Sequence, residues 1–127
     1  MWILLDSAST VSIFANKSLL RNIIQCGSIE GLQIHTNGGI QVTHLIGDLP
    51  GFGTVWYDGG SLANILSLAA VRKKCCITMD TNDEPVMTMH KENWDEMKFI
   101  GTKGGLYYYE VKPKIGIKNF SFTTTVA

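Results

Sequence analysis

Short apolar runs separated by glycine-rich turns make up most of the chain. β-Branched and aromatic residues fill these runs, which predict strands at residues 2–5, 32–36, 40–46, 53–57, 76–79, 86–90, 97–100 and 106–111. The run at residues 2–5 is continuously apolar, as expected of a strand buried on both faces. Many short strands joined by regular turns are typical of an all-β barrel or sandwich.

Two segments add detail to this pattern. Residues 32–36 and 40–46 flank an Asn-Gly-Gly turn, and Asn-Gly supplies the positive φ values of a tight hairpin turn. In residues 64–73 apolar positions recur at helical spacing and no glycine interrupts them, so the one short helix is predicted there. The expected fold is therefore all-β with a single short helix.

Composition and charge exclude several classes of protein. The chain has 127 residues, with 11 Lys+Arg balanced by 11 Asp+Glu, so its formal net charge is zero. Without a basic patch, direct nucleic-acid binding is not expected. No apolar run reaches the roughly 20 residues that span a bilayer, so no membrane contact is expected either. The length suits one domain.

The cysteines and histidines predict no metal or cofactor. Cys26, Cys75 and Cys76 form an odd set without a C-x-x-C motif, so neither a disulfide framework nor a zinc site is indicated. Unpaired cysteines fit a reducing, intracellular setting. The three histidines lack a Cys or carboxylate that would complete a metal-binding set.

Asp6 is the strongest candidate for chemistry. It follows four apolar residues and precedes Ser7, Ala8 and Ser9, which are small. A carboxylate at the end of a buried strand, in a turn that permits close backbone approach, fits a catalytic group. It fits a turn-forming aspartate equally well, because Asp side chains often bond to backbone two residues on.

The order of motifs resembles the retropepsins, and more narrowly the proteases of copia-type retrotransposons. The elements that carry the resemblance are Asp6-Ser7-Ala8 after an apolar strand, the hairpin at residues 32–45 with Asn37-Gly38-Gly39 at its tip, Asn64-Ile65-Leu66-Ser67-Leu68, and Gly104-Gly105-Leu106-Tyr107-Tyr108. In the copia form, Ser stands at the position of Ser67 where other retropepsins have Gly. The last element is similar to the segment that follows the protease in copia polyproteins.

The resemblance implies a fold and a division of the chain. The fold would be a closed acid-protease β-barrel with one short helix near residues 64–73. Residues 1–111 would form the protease domain, and residues 112–127 would be a C-terminal extension or linker toward the next polyprotein region. We also expect the chain to be a piece of a longer polypeptide.

The resemblance further implies an active site shared by two chains. Asp6 of each copy would form a carboxylate pair that holds one proton and activates water to hydrolyse a peptide bond, because like charges so close cannot both ionise. Ser7 would bond across the two-fold axis and Ala8 would allow close approach. The implied flap and substrate-binding residues are His35, Thr36, Asn37, Gly38 and Gly39; Ile65, Leu66 and Ser67 would support the active-site loop.

Three functions stay open at this point. The first is a homodimeric aspartic endopeptidase that processes a retrotransposon polyprotein in the cytoplasm or in virus-like particles. The second is a catalytically inactive retropepsin-like domain that binds peptides or assists assembly, favoured by Ala8 where the family has Gly and by the few residues before Asp6. The third, a phosphate-binding fragment of an actin-like ATPase, lacks the expected Gly-rich phosphate loops.

Overall fold

A computed structural model describes residues 1–27, 31–36, 39–80, 82, 84–90 and 96–111. The strands are β1 (Trp2–Asp6), β2 (Ile13–Phe14), β3 (Arg21–Gln25), β4 (Leu32–Thr36), β5 (Gly39–Thr43), β6 (Leu45–Leu49), β7 (Gly53–Tyr57), β8 (Asn64–Ser67), β9 (Cys76–Asp80), β10 (Val86–His90), β11 (Glu96–Gly101) and β12 (Tyr107–Glu110). A 3₁₀ turn, Lys17–Leu19, and an α-helix, α1 (Leu68–Val71), complete the described elements. This confirms the all-β class.

Ten of the strands form one sheet in the order β3-β6-β7-β2-β8-β1-β12-β11-β10-β9. The first strand in sequence, β1, is central: it pairs in parallel with β8 and antiparallel with β12. Strand β8 is inserted between β1 and β2, and it runs antiparallel to β2. The turn that joins β1 to β2 therefore bridges over the end of β8.

The prediction of a closed barrel is wrong for the described strands. At the two ends of the sheet, β3 pairs only with β6 and β9 only with β10, so the sheet is open. The physical reason is clearest in β3, whose register shifts between Arg21 and Ile24 and whose Asn22 has a φ of 53°. Such irregularities twist an edge strand and prevent it from accepting a further partner.

The prediction of a helix over residues 64–73 is wrong at its beginning. Residues 64–67 form the strand β8, because they pair with β1 on one side and with β2 on the other. This tertiary pairing overrides local helix propensity. The helix is limited to Leu68–Val71. Its N-cap is Ser67, whose Oγ accepts a hydrogen bond from the Ala70 amide at 3.2 Å.

The hydrophobic core lies on the inner face of the sheet. Ile3, Leu66 and Phe99 are fully buried there and belong to the same cluster as Val55 on the other half of the sheet. The sheet thus curls around one core. The prediction that residues 2–5 are buried on both faces is only half correct, because Trp2 on the outer face is 45% exposed.

The other predicted strands are found in the structure with small differences in their bounds; the strand predicted at residues 106–111, for example, is limited to Tyr107–Glu110. The predicted strand at residues 40–46 is interrupted at His44, where β5 ends and β6 begins after one residue. The hairpin of β4 and β5 forms a separate two-stranded sheet. Residues 112–127, predicted to be an extension or linker, lie outside the described residues.

Candidate functional site

Asp6 ends the central strand of the sheet. Ile3 and Leu5 point into the core, so strand alternation places Asp6 on the outer face together with Trp2 and Leu4. Asp6 is half-buried. The carboxylate is thus anchored by a rigid central strand and lies at the surface, where a ligand can reach it.

The turn after Asp6 is organised by its side chain. Oδ1 of Asp6 accepts a hydrogen bond from the Ala8 amide at 2.8 Å, the geometry of an Asx turn. Further along, Ser9 Oγ donates to the Val11 carbonyl at 2.6 Å. Ser7 and Ala8 are exposed, so the Ala8 methyl group meets no crowding within this chain. The bond to Oδ1 orients the carboxylate, which has further acceptor positions for water.

Ser67 connects the turn to strand β8. It is paired with Asp6 across the two parallel strands and is completely buried. Its Oγ donates to the Ser9 carbonyl at 2.7 Å, and its amide donates to Ser12 Oγ at 3.0 Å. Since the same Oγ also caps α1, one buried hydroxyl joins the Asp6 turn, the end of β8 and the start of the helix.

The two residues before Ser67 have different environments. Leu66 is fully buried in the core next to Leu5, its partner on β1. Ile65 lies on the outer face, half-buried, and is paired with Leu4 on one side and Ile13 on the other. Both side chains contribute packing to the strand, whereas the hydrogen bonds to the Asp6 turn come from the serines.

Asn64 is a structural residue that the sequence reasoning missed. Its side chain is buried, and Oδ1 accepts hydrogen bonds from the Ala15 and Asn16 amides at 2.9 and 3.0 Å. Its Nδ2 donates to the Trp2 carbonyl at 3.1 Å. Asn64 therefore ties β8 to the start of β1 and to the chain that leaves β2. Its only sequence signal is a polar residue directly before the apolar pair of the copia-like motif.

The predicted flap is a hairpin with an exposed outer side. His35 is paired with Ile40, and both side chains are exposed. Gly39 has a φ of 122°, which favours glycine at this position. Asn37, Gly38 and the Thr36 side chain lie outside the described residues. The strands of the hairpin pair with each other and not with the strand that carries Asp6.

The base of the hairpin is fixed to the main sheet. Thr43 is buried, and its Oγ1 donates to the Tyr57 carbonyl on β7 at 2.5 Å. The Cys26 amide donates to the His44 carbonyl at 2.6 Å. The hairpin is therefore anchored to the main sheet at its base.

Charges and possible metal ligands are sparse near Asp6. Over the described ranges, Asp6 takes part in no ion pair, and no group of three or more His, Cys, Asp or Glu side chains could hold a metal ion. His90 instead contacts Thr78, with Nε2 at 2.8 Å from Oγ1, and Glu96, with Nδ1 at 3.6 Å from Oε1. The same part of the chain contains no helix long and apolar enough to cross a membrane.

Comparison with known proteins gives no assignment. A scan against protein-family models, a search of curated proteins and a search of solved structures each found no match. The function is therefore argued from the residues and geometry of the chain itself.

Proposed function

We propose that this chain is one half of a retropepsin-like aspartic endopeptidase that processes a retrotransposon polyprotein inside the cell. The observation that carries the proposal is the setting of Asp6. This carboxylate ends a central strand, its turn is held by the buried hydroxyl of Ser67, and it remains reachable from outside. A catalytic group needs this combination of a fixed position and an open side.

The insertion of β8 between β1 and β2 supports the finer assignment of the fold. It places Asp6-Ser7-Ala8 beside the Asn64–Ser67 segment, at the C-terminal ends of the neighbouring strands β1 and β8, although the two segments lie far apart in sequence. These are two of the motifs on which the resemblance to retropepsins depends. Their adjacency favours a shared role over a chance occurrence of both.

The mechanism follows from the number of such aspartates. The chain has one Asp-Ser-Ala motif, so the second carboxylate would come from an identical chain across a two-fold axis. The two Asp6 side chains would share one proton, because like charges so close cannot both ionise. One carboxylate would accept a proton from the attacking water while the protonated partner donates to the carbonyl oxygen of the scissile bond.

The remaining residues of the proposed site have positioning roles. The Ser7 hydroxyl would bond across the axis, and the exposed Ala8 would let the two turns approach each other. The hairpin of β4 and β5 would close over an extended peptide, with His35 near the substrate, and would pair with it main chain to main chain. Closure would exclude water and orient the scissile bond. No cofactor enters this mechanism.

The experiment compares two aspartates on one face of the sheet. The full chain, Asp6→Asn and Asp48→Asn are incubated with a peptide library at mildly acidic pH, with and without a statine-type inhibitor. Asp48 is an exposed carboxylate on β6 and serves as the matched control. We expect Asp6→Asn to lower the cleavage rate by roughly 10²–10⁴-fold or more, the scale of acid–base catalysis. Asp48→Asn should cleave as the wild type does.

Protein concentration provides a second readout. Only a dimer would hold both carboxylates, so the rate per chain should rise with concentration. Cleavage that persists in Asp6→Asn would refute the aspartyl mechanism.

Peptide binding without cleavage would favour the second candidate function, a catalytically inactive peptide-binding or assembly domain. The observation that favours this alternative is Ala8, which stands at the glycine position of the family motif.

A further inference from the structure

His90 lies between a hydroxyl and a carboxylate on strands β9, β10 and β11. Its Nε2 is 2.8 Å from Thr78 Oγ1, and its Nδ1 is 3.6 Å from Glu96 Oε1. A hydroxyl at one imidazole nitrogen and a carboxylate beside the other is the order of groups that activates a nucleophile for acyl transfer. Thr78 therefore has a base within hydrogen-bonding distance.

The strand register fixes this arrangement. His90 and Glu96 are direct partners on β10 and β11, so their side chains point to the same side of the sheet. Thr78 lies on β9, diagonally across from His90 on that side. The opposite side of β10 and β11 carries the buried Met89 and Met97, which pack into the core. The three polar groups therefore lie on paired strands, which hold them more rigidly than loops would.

Glu96 selects the imidazole tautomer that acyl transfer needs. An ionised carboxylate can only accept a hydrogen bond, so it favours the form of His90 with the proton on Nδ1. Nε2 is then the acceptor, and the Thr78 hydroxyl donates to it. When His90 takes the Thr78 proton, the imidazolium that forms lies beside the Glu96 carboxylate and is stabilised by it.

Strand β9 also offers hydrogen-bond donors for an acyl carbonyl. Within the described residues β9 pairs with β10 alone, so alternate main-chain amides of β9 face the open edge of the sheet. Whichever set of amides faces outward, it includes either Thr78 itself or both of its neighbours, Ile77 and Met79. An N–H group beside the nucleophile can donate to the oxyanion that forms during acyl transfer.

The three side chains are open to solvent, which limits the class of substrate. Thr78 is exposed, and the side chains of His90 and Glu96 are 36% and 49% exposed. A small molecule can therefore reach Thr78 without any movement of the strands. An exposed face gives little binding energy for acceleration of a difficult reaction, so the acyl donor must itself be reactive.

We propose that Thr78 is an acyl acceptor for small activated esters, with His90 as its base and Glu96 as a positioning residue. The Thr78 Oγ attacks the ester carbonyl while His90 Nε2 takes the hydroxyl proton. The bond between the carbonyl carbon and the leaving oxygen then breaks, and the proton passes from Nε2 to that oxygen. The products are an ester on Thr78 and a free alcohol, and no oxidant or reductant is needed. None of these residues belongs to the proposed peptidase site.

The test measures acetylation of Thr78 by p-nitrophenyl acetate at mildly alkaline pH. Cys76 is exposed and is paired with His90, so the full chain carries Cys76→Ala to remove a competing thiol. Intact mass spectrometry counts the acetyl groups over time, and peptide mapping assigns them to residues. Thr54 is also exposed on a strand, β7, and gives the unassisted rate for a threonine hydroxyl.

We expect Thr78 to be acetylated about a hundredfold faster than Thr54 or more, the scale of general base catalysis. His90→Gln keeps a hydrogen-bonding side chain without a base, and should lower the Thr78 rate to that of Thr54. Glu96→Gln should give a smaller loss, and Glu96→Asp, which keeps the carboxylate, should restore part of it. Thr78→Val should remove the label from this peptide, whereas Thr78→Ser should retain it.

Two results would overturn the inference. One is equal acetylation of Thr78 and Thr54, and this comparison needs no variant at the site. The other is a Thr78 rate that His90→Gln leaves unchanged, with far-ultraviolet circular dichroism showing that the variant is folded. Either result would reduce the contact between Thr78 and His90 to a hydrogen bond that only holds β9 against β10.

Discussion

Replacing Asn64 by alanine should destabilise the fold more than any other single polar truncation on β8. The Asn64 side chain accepts two backbone hydrogen bonds, from Ala15 and Asn16, and donates one to the Trp2 carbonyl. Its 6% exposure means that water cannot readily replace these partners. Asn64→Ala would therefore leave two backbone donors and one acceptor without their partner.

The magnitude follows from counting these groups. Leaving a buried hydrogen-bonding group unsatisfied costs about 1–3 kcal/mol, and the partners here are only partly buried, so the lower end applies. Three groups at about 1 kcal/mol give a loss of about 3 kcal/mol in the free energy of unfolding. This is a large part of the 5–15 kcal/mol that stabilises a typical domain.

Urea unfolding followed by tryptophan fluorescence measures the loss. For m-values of about 1.5–3 kcal/mol/M, Asn64→Ala should lower the midpoint by about 1–2 M urea. The matched control is Asn16→Ala. The Oδ1 atom of Asn16 accepts hydrogen bonds from Ser18 and caps the 3₁₀ turn, so its loss should lower the free energy of unfolding by about 1 kcal/mol. Equal losses in the two variants would refute the argument that Asn64 joins three segments of the fold.

Two further substitutions test the hydrogen bonds of Ser67 and the packing of the core. Ser67→Ala should lower the free energy of unfolding by about 2 kcal/mol, because two hydrogen bonds of a buried hydroxyl are lost. The control Ser61→Ala loses one hydrogen bond of 3.3 Å and should cost under about 1 kcal/mol. Indistinguishable urea midpoints for the two variants would show that Ser67 does not hold the Asp6 turn. Phe99→Ala should cost about 3–5 kcal/mol in thermal unfolding because the ring is fully buried, and a loss no larger than that of the exposed Leu62→Ala would contradict the placement of the core.

The sequence predicts those strands whose partners are close along the chain. The hairpin of β4 and β5 is predicted from the Asn-Gly-Gly sequence between its strands, and the hairpin of β9 and β10 from two apolar runs on either side of a polar segment. In both cases the residues that predict the strand pairing lie within about a dozen positions of one another. The class of the fold follows from the repetition of such runs.

The strands that the sequence missed depend on distant partners. Residues 64–67 carry apolar spacing that suits a helix, and only pairing with β1 and β2 makes them a strand. Strand β2 has two residues, too few for a pattern, and in β3 the two isoleucines are adjacent, so apolar and polar positions do not alternate. The open sheet could not be predicted either, since closure depends on whether β3 and β9 meet.

In the candidate site too, features with a local sequence signal could be predicted and contacts between distant residues could not. The position of Asp6 at the end of a strand could be predicted, because four apolar residues precede it. The bonds of Ser67 to Ser9 and Ser12 span more than fifty residues and have no local signature. Asn64 was missed for the same reason.

The central position of β1 has a consequence for synthesis on the ribosome. This strand is translated before both of its neighbours, which come from residues 64–67 and 107–110. At about 5–20 residues per second, β1 must wait roughly 5–20 seconds for its second neighbour, β12. Contacts of such long sequence separation also slow folding itself. The nascent chain therefore presents a central apolar strand with at least one edge unpaired throughout this interval, so the ten-stranded sheet cannot be completed before residue 110 emerges.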